Sequence, residues 1–242
     1  MLRALTFDYW DTLYHGEALP ARVEHRVAAL QRMLATVGRP VPEDEFAALY
    51  RESGDVAHRW WYEDARGYRT EERIRWILDR LAVERPDDCE HVAAAVAAVD
   101  EALVRWPAPL IDGTHELIGE LAARVPLAIV SDTGFASGAA QDALLERDGL
   151  LPHFPVRVYS MDVGHCKPRP EPFAAALDRL GLAPHEVLHV GDIERTDVRG
   201  AVGAGMRAVR LDALRDSGPS EAERVAGSWD EAVAHVTADA GR

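Results

Sequence analysis

Leu2-Arg3-Ala4-Leu5-Thr6-Phe7-Asp8-Tyr9-Trp10-Asp11-Thr12-Leu13 begins with a short, largely apolar run that stops at a carboxylate. A run of that length and character reads as a strand buried on both faces, as in a parallel sheet. Four more such runs lie downstream, at Pro126 to Val130, Val156 to Tyr159, Glu186 to Val190 and Met206 to Leu211. Helical stretches follow three of them, at Gly134 to Leu145, Pro170 to Leu180 and Arg195 to Gly205. Strand alternating with helix predicts an α/β fold built on a doubly wound, Rossmann-like parallel sheet.

The interval between the first and second runs is of another kind. From about Glu17 to Arg105 the apolar residues recur only at helical spacing. Val23, Val27, Leu30, Leu34 and Val37 form one stripe that stops at Gly38, with Pro40 and Pro42 beyond. Phe46, Leu49, Ser53, Val56 and Trp60 form a second. Ile74, Ile77, Leu78 and Leu81 form a third behind a candidate N-cap at Thr70. Val92, Val96, Val99 and Leu103 form a fourth, closed by Pro107 and Pro109. The pattern predicts an α/β core of residues 1–15 and 107–242, with an inserted all-helical cap domain over 16–106. The expected hinges are Tyr14 to Gly16 and Trp106 to Pro109.

Composition narrows the function classes. The 242 residues carry 41 acidic and 27 basic side chains, a formal charge of −14. A nucleic acid or an anionic membrane surface would be repelled by that field, so the expected partner is a small-molecule substrate. No apolar run approaches the roughly 20 residues a bilayer helix needs, and the amino terminus has no signal-peptide pattern. Two cysteines, Cys89 and Cys166, are too few for a disulfide framework, and the ten histidines show no ligand spacing. A cytoplasmic protein is expected, of open oligomeric state.

In an open parallel sheet, ligands bind beyond the carboxyl ends of the strands. Asp8 ends the first run, Ser131-Asp132 the second and Gly191-Asp192 the fourth, while Lys167 follows the third. A single Asp after a strand is common as a turn or helix-capping residue. Three polar ends and a lysine on one edge indicate a site.

The motifs of those ends resemble the haloacid dehalogenase (HAD) superfamily of hydrolases. Phe7-Asp8-Tyr9-Trp10-Asp11-Thr12-Leu13 is similar to its first motif, Asp-x-Asp-Gly-Thr-Leu after a hydrophobic strand. Ile129-Val130-Ser131-Asp132-Thr133 is similar to the second. Lys167-Pro168-Arg169-Pro170 ahead of a helix is similar to the third, and Gly191-Asp192-Ile193-Glu194-Arg195-Thr196-Asp197 to the fourth. The resemblance implies a nucleophile at Asp8, which would form an aspartyl ester or phosphate. It implies Ser131, with the amide after it, as a contact to a substrate oxygen, and Thr12 and Asp132 on the same binding edge. Lys167 would neutralise developing charge. Mg²⁺ would be held by Asp8, Asp192 and the carbonyl of Trp10, with Asp197 supporting the lysine or a metal-bound water. Electrostatics agrees, because converging carboxylates raise one another's pKa unless cations offset them.

One position departs from the pattern. Phosphatases of the family carry a second Asp two residues after the nucleophile, which protonates the leaving group; here that residue is Trp10. Asp11 stands one residue further on, where an extended chain points the opposite way. Asp11, His15 or a cap residue would have to supply the proton. The dehalogenating branch has an aromatic residue at this position, because halide leaves without protonation. A Mg-dependent phosphatase is therefore the first reading. The alternatives are a 2-haloacid dehalogenase and a catalytically weak phosphate-binding relative.

In the cap, Trp60 and Trp61 point about 100° apart on one helix. At least one is expected to pack the bundle; Trp60, with Arg59 or His58, is the candidate for substrate contact. Arg66, Arg69, Arg73 and Arg75 are expected to pair with Glu63, Glu71 and Glu72. Cys166, beside Lys167, is either a low-pKa thiol or structural, with the second preferred.

Overall fold

The structure, a computed structural model, describes residues 1–16, 19–83, 90–214 and 218–240. Glu17, where the helical pattern begins, and Cys89 lie outside the described residues. Six parallel strands form one sheet: β1 (Ala4–Phe7), β2 (Leu127–Ser131), β3 (Val156–Tyr159), β4 (Val187–Gly191), β5 (Arg207–Leu211) and β6 (Arg224–Ala226), in the order β3-β2-β1-β4-β5-β6. The α/β class and the parallel sheet are as the apolar runs predict. All residues of β1, β2 and β4 are buried, which is why these strands read as continuous apolar runs rather than alternating ones. Phe7 of β1 pairs with Ile129 of β2 and Val190 of β4. That register brings the chain out of the three strands side by side, and Asp8, Ser131 and Asp192 emerge together.

The chain divides into two compact units. One comprises Met1–Gly16, Ala108–Asp132 and Leu145–Arg242; the other comprises Glu17–Pro107 and Thr133–Leu144. The second contains the helices α1 (Pro20–Thr36), α2 (Glu43–Tyr62), α3 (Thr70–Arg80) and α4 (Glu90–Arg105). Leu30, Met33 and Leu34 of α1, Phe46 and Leu49 of α2, Ile74, Ile77 and Leu78 of α3 and Val92, Ala95 and Val99 of α4 make one buried cluster. These are mostly the residues of the four predicted stripes.

Thr133–Leu144 is a difference from the predicted boundaries, which leave everything after Trp106 in the core. Phe135 is buried in the helical cluster, the Thr70 hydroxyl donates to its carbonyl at 2.8 Å, and the Ser137 amide and hydroxyl donate to Asp100 at 2.8 and 2.7 Å. The same contact corrects the cap of α3. Thr70 is its first residue and faces Phe135, and Glu72 instead accepts the Arg69 amide at 2.9 Å.

The other helices are α5 (Thr114–Ala122), α6 (Gly138–Arg147), α7 (Ser160–Val163), α8 (Pro170–Leu180), α9 (Arg199–Gly203) and α10 (Trp229–Ala240). The apolar pattern does not reveal α5, α10 or β6. Arg224 and Val225 of β6 are exposed, and three residues are too short for a periodicity. Position is fixed instead by Glu223, whose carboxylate accepts from Arg207 of β5 at 2.8 and 2.6 Å and contacts His235 of α10 at 2.7 Å. Burial opposes ionisation of Glu223, but these partners outweigh it and hold its pKa below the usual glutamate value. A carboxylate with a lowered folded-state pKa stabilises the fold above its unfolded pKa, about 4.3. That contribution disappears as pH falls through the lower, folded value. Glu223→Gln should therefore lose stability at pH 7 and show a shallower loss on acidification than the wild type, measured as urea midpoints between pH 7 and 3.

The predicted helix from Arg195 to Gly205 is instead a π-helical turn, Glu194–Val198, followed by α9. The amides of Asp197 and Val198 both donate to the Ile193 carbonyl, and the widened turn sends the Asp197 side chain inward.

Candidate active site

Lys167 organises the carboxyl edge of the sheet. Its side chain is 1% exposed, and the ammonium has its three donors placed on Asp8 Oδ1 at 2.6 Å, Asp197 Oδ1 at 2.7 Å and the Val130 carbonyl at 2.9 Å. The Lys167 amide donates to Asp132 Oδ1 at 3.1 Å, which ties its loop to the end of β2. The Asp8 amide donates to the Val190 carbonyl at 2.9 Å, extending the sheet ladder one residue past β1. Asp197 is held on its other oxygen by the Ile193 amide at 2.9 Å and the Thr196 hydroxyl at 3.1 Å. Asp8, Asp192 and Asp197 are all buried and each offers one oxygen within 4.8 Å of the others. A side chain at Gly191 would put a Cβ 2.5 Å from that of Asp197, so the approach requires glycine there.

The charges explain one another. Burial, foremost, raises the Asp8 pKa well above the usual carboxylate value; Asp197 and Asp192 add to this and Lys167 opposes it. Burial would also discharge Lys167, but Asp197, Asp8 and Asp132 outweigh it and keep the ammonium pKa above its ordinary value. Burial likewise opposes ionisation of Asp197, and Lys167 and His189 overcome it, so its pKa falls below the carboxylate range. Three carboxylates against one ammonium leave an excess of buried negative charge. A set of oxygen donors with no sulfur or imidazole nitrogen among them suits a hard divalent cation of the Mg²⁺ kind.

This arrangement gives a buried carboxylate braced by a lysine, a second carboxylate beside it, and a fold that places both at a parallel sheet's carboxyl edge. Residues 2–205 match the family model of haloacid dehalogenase-like hydrolases. The chain belongs to that family.

Relatives within the HAD-like hydrolases span nearly the whole chain. A glyceraldehyde 3-phosphate phosphatase of Methanopyrus kandleri is 31% identical over 219 residues, 87% of this chain and 84% of the relative. A 5-amino-6-(5-phospho-D-ribitylamino)uracil phosphatase of Escherichia coli is 28% identical over 208 residues, 86% and 82% of the two chains. Among solved structures, a 2-haloacid dehalogenase from Pseudomonas syringae superimposes with a TM-score of 0.70 at 25% identity, over 99% of each chain. Among the described residues of this hydrolase, no helix is long and apolar enough to cross a membrane.

The remaining predicted residues are distributed as follows. Ser131 is buried at the end of β2. Thr12 is fully buried, with a hydroxyl that has no hydrogen-bond partner among the described residues and a carbonyl that accepts from Trp229 Nε1 at 3.2 Å. Asp11 lies in the left-handed region at φ 55°, and its Oδ1 accepts the Gly16 amide at 2.7 Å. Its carboxylate is thus used to close the turn after the first motif. Trp10 is half-buried with its ring edge-on to Tyr9, and the His15 amide donates to the Pro109 carbonyl at 3.0 Å. Trp60 and Trp61 in the helical unit are both half-exposed, which corrects the expectation that one packs its core. Trp60 is instead covered by the Arg66 guanidinium and edge-on to Tyr68. Arg66 pairs with Glu72 and Arg75 with Glu71 as expected, but Arg73 is buried and pairs with neither. Cys166 is buried; desolvation and Asp132 push its thiol pKa up, so the low-pKa alternative fails.

His189 is the residue that the motif pattern misses. It is fully buried on β4, with Nε2 3.4 Å from Asp197 Oδ1 and Nδ1 2.9 Å from the Thr6 hydroxyl. Burial lowers its pKa and favours the neutral ring. One tautomer satisfies both contacts, with Nε2–H donating to Asp197 and Nδ1 accepting from Thr6. The signal was present as two polar residues, Thr6 and His189, inside otherwise apolar runs; the β1–β4 register pairs them.

Proposed function

We propose that this hydrolase is a phosphatase acting on small-molecule phosphate monoesters through an aspartyl-phosphate on Asp8. The observation that carries this reading is the Lys167 ammonium set between Asp8 and Asp197, with Asp192 alongside. A phosphoryl group brings more negative charge into a site already rich in it, and only cations at the reacting atoms make that tolerable. In the proposed sequence an Asp8 oxygen attacks phosphorus and the bond to the ester oxygen breaks. Water then attacks the phosphorus of the acyl phosphate and releases Asp8. Lys167 holds Asp8 in place and meets the developing charge, while Asp197 and His189 fix the ammonium from behind. Ser131 would bind a phosphoryl oxygen. Asp8, Asp192 and the Trp10 carbonyl would hold Mg²⁺, which supplies charge neutralisation at the phosphoryl oxygens when bound.

Trp10 cannot donate a proton to the leaving oxygen, and Asp11 is committed to the Gly16 amide. Esters whose alcohol leaves unaided, such as aryl phosphates, should be turned over much faster than alkyl phosphates. The same tryptophan favours a second reading, 2-haloacid dehalogenation, in which halide departs without a proton; the dehalogenase among the structural relatives is consistent with it.

Release of phosphate and of halide, read separately with and without Mg²⁺, tests the pair. Phosphate from an aryl ester, lost on chelation, is the expected result. Halide from a 2-halopropionate in chelator would sink the phosphatase reading. Trp10→Asp should raise alkyl phosphate turnover by roughly 10²-fold or more, the usual worth of a general acid. Negligible activity in both forms would point to a binding role.

A further inference from the structure

The helical unit contains three arginines that are buried and, among the described residues, make no ion pair. Arg22 and Arg26 of α1 are 4% and 9% exposed, and Arg73 of α3 is 9% exposed. Arg22 spends its Nε and one terminal nitrogen on the Trp106 carbonyl, at 3.2 and 2.8 Å. Arg73 donates from Nε to the Ser53 hydroxyl at 3.1 Å and stacks 4.0 Å above the Phe135 ring. Arg26 lies 5.6 Å from the same ring, and its buried Nε has no hydrogen-bond partner among the described residues. The charge of Asp100 offsets that of Arg26 in part, but its oxygens accept from the Ser137 amide and hydroxyl and form no ion pair with the arginine.

Two guanidinium groups on one aromatic ring repel each other, and a buried charge with an unmet donor costs the fold stability. Burial, foremost, with Arg22 and Arg73 lowers the Arg26 pKa to about 10. An aromatic face attracts cations, but it satisfies no N–H donor. A carboxylate, phosphate or sulfate does both, and a guanidinium fork fits it in bidentate fashion.

We propose that Arg26 and Arg73, which share the Phe135 ring, form a binding site for a small oxyanion within the helical unit. The site stands independently of the phosphatase reading, and its test reads binding rather than turnover.

Unfolding midpoints are measured on the full chain in rising sulfate, with chloride matching the ionic strength, for wild type, Asp8→Asn, Arg26→Met and Arg73→Met. Sulfate should raise the midpoint of wild type and Asp8→Asn more than that of either arginine variant, in which only its general salting-out effect is left. Without sulfate, Arg26→Met should be at least as stable as wild type, because a buried charge is removed and the aliphatic stem retained. No rise in wild type, or an equal rise in Arg26→Met, overturns the site. Should the Met variants fail to fold, the Arg26 Nε–H resonance of the unmutated chain carries the test: it shifts with sulfate if the site exists and stays fixed if it does not. The occupant's origin is resolved in Asp8→Asn by comparing an aryl phosphate with and without a carboxylate on the ring. A larger Arg26-dependent response to the carboxylated ester assigns the site to an organic carboxylate. Equal responses beside an intact sulfate response assign it to a free oxyanion.

Discussion

Asp8→Asn should abolish turnover of an aryl phosphate, by roughly 10⁴-fold or more, the loss typical when a covalent nucleophile is removed. The amide matches the carboxylate in shape but neither attacks phosphorus nor carries charge. Its effect on the fold should run the other way. Asp8 is buried beside Asp192 and Asp197, and its carboxyl pKa is raised chiefly by that burial. A raised carboxyl pKa means that the charged form is disfavoured in the folded state, so at neutral pH Asp8 opposes folding. The neutral variant should keep or gain stability by urea titration while losing activity. Undiminished phosphate release from Asp8→Asn would remove Asp8 from the reaction.

Lys167→Met should be damaging in both respects. Its ammonium is the shared partner of Asp8 and Asp197, and removing one member of a buried ion pair costs about 3–5 kcal/mol. The pH dependence separates lost charge from lost packing. A lysine with a raised pKa contributes its stability below about pH 10 and loses it only above the folded-state value, so the wild type shows no loss from this source at neutral pH. In the variant, Asp8 and Asp197 face each other without a cation, and protonating one of them relieves the repulsion. The variant should therefore be most destabilised near pH 7 and recover relative to wild type towards pH 5. A deficit that is constant across that range would show that Lys167 acts by packing alone.

Much of the site is legible in the chain because its residues sit where apolar runs end. Asp8, Ser131 and Asp192 are read from local pattern, and the β1–β2 and β1–β4 registers then bring those ends together. Lys167 is read from its proline-flanked loop, but its three acceptors come from three separate segments. Asp11 shows the limit of local reading. As sequence it is an acid three residues after Asp8; as structure it is the acceptor that closes a turn on Gly16.

By itself, the sequence determined the parallel α/β class, the four helical stripes and the polar strand ends, because burial on both faces or on one face leaves a periodic trace in neighbouring residues. Tertiary structure alone decided that Thr133–Leu144 joins the helical unit, that Thr6 and His189 stand behind Asp197, and that Arg26 and Arg73 share one aromatic ring. Those pairings depend on strand register and on helices meeting across long stretches of chain. No local periodicity records them, since the free energy that selects them arises only when distant segments pack.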